Sequence, residues 1–321
     1  RFEVCLLKKK MSELKGDSFV AEAEKKLKSW SLFGSGSKTE AAQELYDKAA
    51  TQYKLAKEWD KAGEAYTKVA EFAEKLGDKF QATNAYLNAA QAYKHTSPKD
   101  AIKLFEIASD MHAEENRMPS AAKLQKEIAQ LEEKEDNVKG ALQAYQKAAE
   151  LFEAGNAVAA GNGMLLKVAE LSTREKDYAR AVEIYEKVIE TSLENSMLSH
   201  SVKDYMFKAG LCTFVMAAKS EEARLISNKL DQYEDQHPAF GNDRNGQLLR
   251  NLVEAFETDN VQKFTDDLFK YDRISPLSND LTSMFLDIKN VMTSSQLATA
   301  DNNTGGDDEN NGGEDEDDDL R

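Results

Sequence analysis

Trp59-Asp60-Lys61-Ala62…Tyr66 begins a pattern that returns at Pro98-Lys99-Asp100-Ala101…Phe105, Asn137-Val138-Lys139-Gly140-Ala141…Tyr145 and Asp177-Tyr178-Ala179-Arg180-Ala181…Tyr185. The alanines stand 39, 40 and 40 residues apart, and the aromatics keep the same steps. A second series, Ala90, Ala129 and Ala169, runs between them at steps of 39 and 40. Self-similarity at such a period is the signature of stacked supersecondary units, and arrays of that kind present extended surfaces that hold other proteins.

Working outward, short breaks fall at Lys57-Glu58, Gly77-Asp78, Ser97-Pro98, Met118-Pro119, Asp136-Asn137, Gly155-Asn156 and Lys176-Asp177, about 20 residues apart. Each repeat therefore reads as two helices of roughly 16–18 residues joined by tight turns, an antiparallel hairpin. Alanine beside a turn lets helix backbones approach closely. An aromatic four residues later lies on the same face and fills the gap to the next hairpin. This is tetratricopeptide logic with a period of about 40 instead of about 34, so the helices should be longer. Ser12–Ser29 reads as an amphipathic helix before the first hairpin. After Ser192 the signature disappears, but 201–219, 221–236, 248–258, 261–271 and 277–292 still look helical.

The expected fold is all-α. A tetratricopeptide-like solenoid of antiparallel helical hairpins covers 11–195, a C-terminal helical bundle covers 196–293, and a disordered acidic tail covers 294–321. Residues 1–10, ahead of the first methionine, Met11, are read as upstream or added sequence.

Composition supports this. The chain is 41% hydrophobic and 31% charged with only 4 prolines. It can bury a core, and Ala, Leu, Glu, Lys and Gln favour helix. The formal charge is −16. Residues 301–321 hold ten acidic residues and one Arg, so the tail carries −9 and the rest −7. No basic nucleic-acid footprint exists at whole-chain level. Two cysteines, Cys5 and Cys212, cannot form a disulfide framework or a metal cluster, which suits the cytosol. Cys212 reads as a small buried hydrophobe. No stretch approaches the roughly 20 apolar residues of a membrane span, and residues 1–10 make a poor signal peptide.

Motifs of catalysis are missing. Gly34–Thr39 lacks the Gly-Lys pair of a phosphate loop and has no strand before it. His95, His112, His200 and His237 are scattered without metal-ligand spacing. No cofactor or metal is expected. The loop at Trp30, Leu32 and Phe33 has two readings: it tucks back onto the first hairpin, or it dips into a lipid interface beside Lys25, Lys26, Lys28 and Lys38. The tail is a solvated charge run, yet it places one apolar residue, Leu320, at the very end.

Several stretches together resemble the α-type soluble attachment proteins for N-ethylmaleimide-sensitive factor. They are Trp30–Gly36 followed by Ala41-Ala42-Gln43-Glu44-Leu45-Tyr46, Leu165-Leu166-Lys167-Val168-Ala169, Tyr185-Glu186-Lys187-Val188, Ser201–Cys212, and Asp317-Asp318-Asp319-Leu320-Arg321. Similarity runs from about Ala21 to Met292 and resumes at the last five residues.

The resemblance implies a rod of hairpins with a C-terminal bundle, several copies of which wrap one acidic, syntaxin-containing SNARE four-helix bundle after membrane fusion. Lys57, Lys94, Lys123, Lys167, Lys203 and Arg244 match the family's basic contact positions, while His95 and Gly163 stand where the family often carries Lys. Glu254, Glu257 and Asp259 match the region offered to a hexameric disassembly ATPase, together with Asp317, Asp318, Asp319 and the penultimate Leu320, which stimulates ATP hydrolysis. In such an adaptor the loop at Trp30, Leu32 and Phe33 would make a weak membrane contact on the cytosolic face. An Asn/Gly/Asp-rich insertion of roughly 20 residues before the terminal motif departs from the family. It lengthens the tether, at a cost that grows only with the logarithm of length. The implied function is a non-enzymatic adaptor in vesicle traffic. The alternatives are a tetratricopeptide-like co-chaperone that clamps an extended peptide, whose usual period and carboxylate clamp are not seen here, and an enzyme on a helical scaffold, which no motif supports.

Overall fold

A computed structural model describes residues 2–29, 35–195, 198–220 and 222–304. Among the described residues every regular element is helical, with fourteen α-helices and one short 3-10 turn. Two compact units divide the chain, one ending at Leu171 and the other starting at Ser172.

The first unit contains α1 (Phe2–Lys28), α2 (Ser35–Ala56), α3 (Trp59–Leu76), α4 (Lys79–Tyr93), α5 (Pro98–Glu114), α6 (Met118–Lys134), α7 (Val138–Ala154) and most of α8 (Val158–Arg174). Consecutive helices from α1 to α7 pack on one another. The repeated alanines Ala62, Ala101 and Ala141 have no exposed surface, and neither do Ala90, Ala129 and Ala169. Tyr66, Phe105 and Tyr145 are buried beside them. The expected interlocking of small and aromatic residues is thus the core itself.

The turns share one construction. After α3, the Gly77 amide donates to the Glu74 carbonyl and the Asp78 amide to the Ala73 carbonyl. The same pair of bonds closes α2, α5, α6, α7 and α8, with a left-handed residue at Lys57, Asn116, Asp136, Asn156 and Lys176. These orphan carbonyls are therefore satisfied by the chain's own next amides. Among the described residues only Gly77 uses glycine for that conformation. The α4–α5 connection differs: α4 ends in right-handed geometry at Lys94, and Pro98 opens α5. Asp78 and Asn137 cap the following helices by accepting from Gln81 and Gly140 amides.

The second unit contains α9 (Tyr178–Leu193), α10 (Val202–Ser220), α11 (Ala223–Gln236), α12 (Arg244–Glu257), α13 (Val261–Asp272) and α14 (Asn279–Thr304). Here α10 is apolar around most of its circumference, and α9, α11, α12 and α14 pack against it. Phe214 on α10 meets the edges of Phe256 and Phe264, with ring centroids 5.5 and 6.4 Å away. Cys212 is buried, and that burial pushes its thiol up to about 11, in keeping with an inert core residue.

Three boundaries differ from the sequence reading. The first helix starts at Phe2 and not at Ser12, because the lysines of 8–10 are compatible with a helix whose packed side is supplied by later residues. The second unit begins at Ser172 and not at 196, because α9 packs on α10. The last helix reaches Thr304, so residues 294–304 are helical where disorder was expected. Ser294 bonds back to the Asn290 carbonyl, and Gln296 donates to the Asp259 carbonyl at 2.6 Å. The Asn/Gly/Asp-rich composition begins only near 301, and the rest of the tail, 305–321, lies outside the described residues.

Candidate functional site

In the first unit the basic candidates sit at helix ends and on exposed helix faces. Lys57 occupies the left-handed turn after α2 and is exposed. Lys94, at the end of α4, is held: its Nζ donates to Glu127 at 2.6 Å and lies 5.9 Å from the Phe105 ring centre. His95 stacks on Trp59, with centroids 4.2 Å apart and rings 20° from parallel. Because Trp59 follows Lys57 by two residues and His95 follows Lys94, this stack draws the ends of α2 and α4 together. Lys123 is exposed on α6 and pairs with no described residue. Lys167 is exposed on α8 and reaches Glu170 at 2.9 Å. At Gly163, one turn earlier, an added Cβ would meet nothing within 4 Å. A longer side chain fits there.

In the second unit Lys203 and Arg244 are brought together through Asp243. Lys203 Nζ donates to Asp243 at 2.7 Å, and the same carboxylate caps α12 by accepting from the Asn245 amide at 3.1 Å. Burial works against the Asp243 carboxylate, but Lys203 and the Asn245 amide outweigh it and hold its pKa below the ordinary value. Arg244 lies over the Tyr271 ring at 5.0 Å and donates to Ser275 Oγ at 3.2 Å and the Tyr271 carbonyl at 3.4 Å. The Tyr271 hydroxyl in turn donates to Asn245 Oδ1 at 2.6 Å. These two cations are positioned by internal partners before any ligand arrives.

The acidic candidates Glu254 and Glu257 lie one turn apart on the exposed side of α12, and Asp259 takes the left-handed position in the turn that follows. Glu254 accepts from Lys263 at 3.2 Å, and Glu257 accepts from Ser227 Oγ at 2.5 Å. Trp30, Leu32, Phe33, Asp317, Asp318, Asp319 and Leu320 lie outside the described residues.

Sequence reasoning missed the Trp59–His95 stack and the Asp243 clamp. An acidic residue directly before Arg244, at a helix start, was the available signal for the second. Among the described residues no group of His, Cys, Asp or Glu is arranged to hold a metal. His112 is buried beside Glu115, and burial lowers its pKa. No helix of the described residues is long and apolar enough to cross a membrane.

Helical hairpins closed on a core of alanines and aromatics define the class, a tetratricopeptide-like helical repeat. The sequence profile of the soluble NSF attachment proteins matches residues 14–293, and the chain belongs to that family. The α-soluble NSF attachment protein of Vitis vinifera is 36% identical over 287 residues, covering 89% of this chain and 97% of the relative. Its human counterpart is 34% identical, covering 88% and 97%. A probable vesicular-fusion protein, the sec17 homologue of Schizosaccharomyces pombe, is 33% identical, covering 87% and 97%. Among solved structures, a signal-transduction ATPase with a tetratricopeptide repeat sensor from Pyrococcus horikoshii shares 14% identity at a TM-score of 0.43, covering 81% of this chain and 40% of that one. A likeness of that size adds no weight.

Proposed function

We propose that this chain is the adaptor that brings the N-ethylmaleimide-sensitive factor, a hexameric disassembly ATPase, to SNARE four-helix bundles in vesicle fusion and intracellular membrane traffic. The observation that carries this is the family match over 14–293, with relatives named for NSF attachment and vesicular fusion aligned over nearly their whole length. The adaptor carries no chemistry of its own. Lys57, Lys94, Lys123, Lys167, Lys203 and Arg244 face the acidic bundle. Glu254, Glu257 and Asp259 face the ATPase, with Asp317–Asp319 and Leu320 reaching it from the tail. Several copies act on one bundle at the cytosolic face of a membrane, which Trp30, Leu32 and Phe33 touch weakly.

Electrostatics assigns the exposed and the held cations different duties. Exposed cations such as Lys123 steer encounter and weaken with salt. Lys203 and Arg244, held by Asp243 and Tyr271, fix register more than they add attraction.

Disassembly of SNARE complexes by the ATPase tests both ends. Leu320→Ala should bind SNAREs normally yet drive disassembly at least about tenfold more slowly, a loss of roughly 1.4 kcal/mol. The Lys167→Glu/Lys203→Glu double variant should fail to bind. Wild-type protein that binds no SNARE complex and recruits no ATPase would overturn the reading and favour the peptide-clamping scaffold.

A further inference from the structure

The first helix turns one side to its own unit and the other to water. Lys9 pairs with Glu58 at 3.1 Å, Lys61 reaches Glu13 and Asp17 at 2.8 and 3.3 Å, and the Tyr53 hydroxyl donates to Asp17 at 2.8 Å. Gly16 lies so close to Tyr53 that an added Cβ would stand 2.6 Å from its ring. At about 100° per residue, positions 9, 13, 16 and 17 mark one side of the cylinder.

The opposite side carries Leu7, Met11 and Leu14, which are 62%, 57% and 60% exposed. Steps of four and three residues align them in one stripe. Lys8 and Lys15 border the stripe on one flank and Lys10 on the other. All three lysines are exposed, and none pairs with a described residue. Between Leu7 and Asp17 the acidic residues are Glu13 and Asp17, and both are turned to the packed side.

An apolar stripe flanked by lysine on both sides matches one environment in both of its properties. Acyl chains at the edge of a bilayer accept the leucines and methionine, while anionic headgroups just above them meet the ammonium groups. We propose that the Leu7–Met11–Leu14 face of α1 rests on the surface of an anionic lipid bilayer, with Lys8, Lys10 and Lys15 among the headgroups. Most of this segment precedes residue 14, where the family match begins. It is separate from the loop at 30–33, and the inference does not rest on the adaptor reading.

Co-sedimentation with large vesicles tests it, using phosphatidylcholine alone and phosphatidylcholine with about one-third phosphatidylserine. The full chain should bind the anionic vesicles. Leu7→Glu/Met11→Glu/Leu14→Glu should reduce that binding by about tenfold or more. Lys8→Glu/Lys10→Glu/Lys15→Glu should do the same and remove the preference for anionic lipid. The loss should persist when Trp30, Leu32 and Phe33 are all serine, which separates this face from the loop. The exposed positions tolerate substitution, so helicity by circular dichroism and disassembly of detergent-solubilised SNARE complexes should be unchanged. Undiminished vesicle binding by the Leu7/Met11/Leu14 variant would overturn the proposal. So would a wild-type dimer in light scattering that this variant converts to monomer, since the stripe would then be covered by a second copy.

Discussion

The two units handle their candidate cations differently, although Lys94 on Glu127 is held in the first as well. In the first, repetition does the structural work: alanines and aromatics fill the core, backbone amides close the turns, and side chains such as Lys57 and Lys123 are left to solvent. In the second, an apolar central helix gathers unlike neighbours, and the candidate cations are built into the packing, Lys203 on Asp243 and Arg244 on Tyr271. A charge that supports the fold cannot be removed without consequence, whereas a charge on a closed repeat can. Binding and stability should therefore separate cleanly at Lys57 and Lys123 and remain entangled at Lys203 and Arg244.

The largest test of that contrast uses two glycines. A Cβ on Gly246, at the start of α12, would collide with the Phe240 carbonyl oxygen, a main-chain atom that cannot swing aside. Gly246→Ala should cost about 3 kcal/mol in chemical denaturation. Gly163 in α8 has open space around it, so Gly163→Ala should instead stabilise by about 0.5–1 kcal/mol through helix propensity alone. Equal effects at the two sites would remove the distinction.

A smaller effect concerns acid. The folded-state pKa of Asp243 is depressed. The stability it contributes is present above the unfolded carboxyl value, about 4, and is lost as pH falls through the lower folded value. Lys203→Ala should cost about 1 kcal/mol near neutral pH, with exposure of the pair limiting the figure. It should also flatten the loss of stability between neutrality and acid. Lys123→Ala should change neither stability nor its pH dependence while still weakening SNARE binding. A Lys203 variant with the wild-type acid profile would show that the clamp is only a surface contact.

The repeat was legible because it is written in few residue types. Ala62, Ala101 and Ala141 recur in step with Tyr66, Phe105 and Tyr145, and turns follow at nearly constant intervals, so periodicity alone placed most helices. The Asp243 clamp was not legible as a contact, because it joins residues 40 apart in a region with no period to index them. The start of α1 was hidden for a related reason. Lys8-Lys9-Lys10 reads as a solvated charge run, and the partner that holds Lys9 is Glu58, which lies much later in the chain. The extent of α14 was hidden by Ser294, Ser295 and Gln296, polar residues that read as an ending until a carbonyl at Asp259 receives Gln296. Of the candidate sites, family resemblance supplied the positions, and physical reading of the sequence supplied only the charge.

The self-closed turns also set how such a surface can change over time. Each turn spends only main-chain atoms on its closure, and even its left-handed corner is filled by Lys, Asn or Asp in all but one case. Those corners can be exchanged among residues that accept left-handed backbone, such as Lys, Asn, Asp and Gly, so a lineage can retune their charge by substitution. Length is another matter. One residue inserted within a helix would rotate the face beyond it by about 100° and push alanines out of line with their aromatics. The architecture is thus forgiving of spelling and strict about metre, and drift in partner preference should be recorded at the corners.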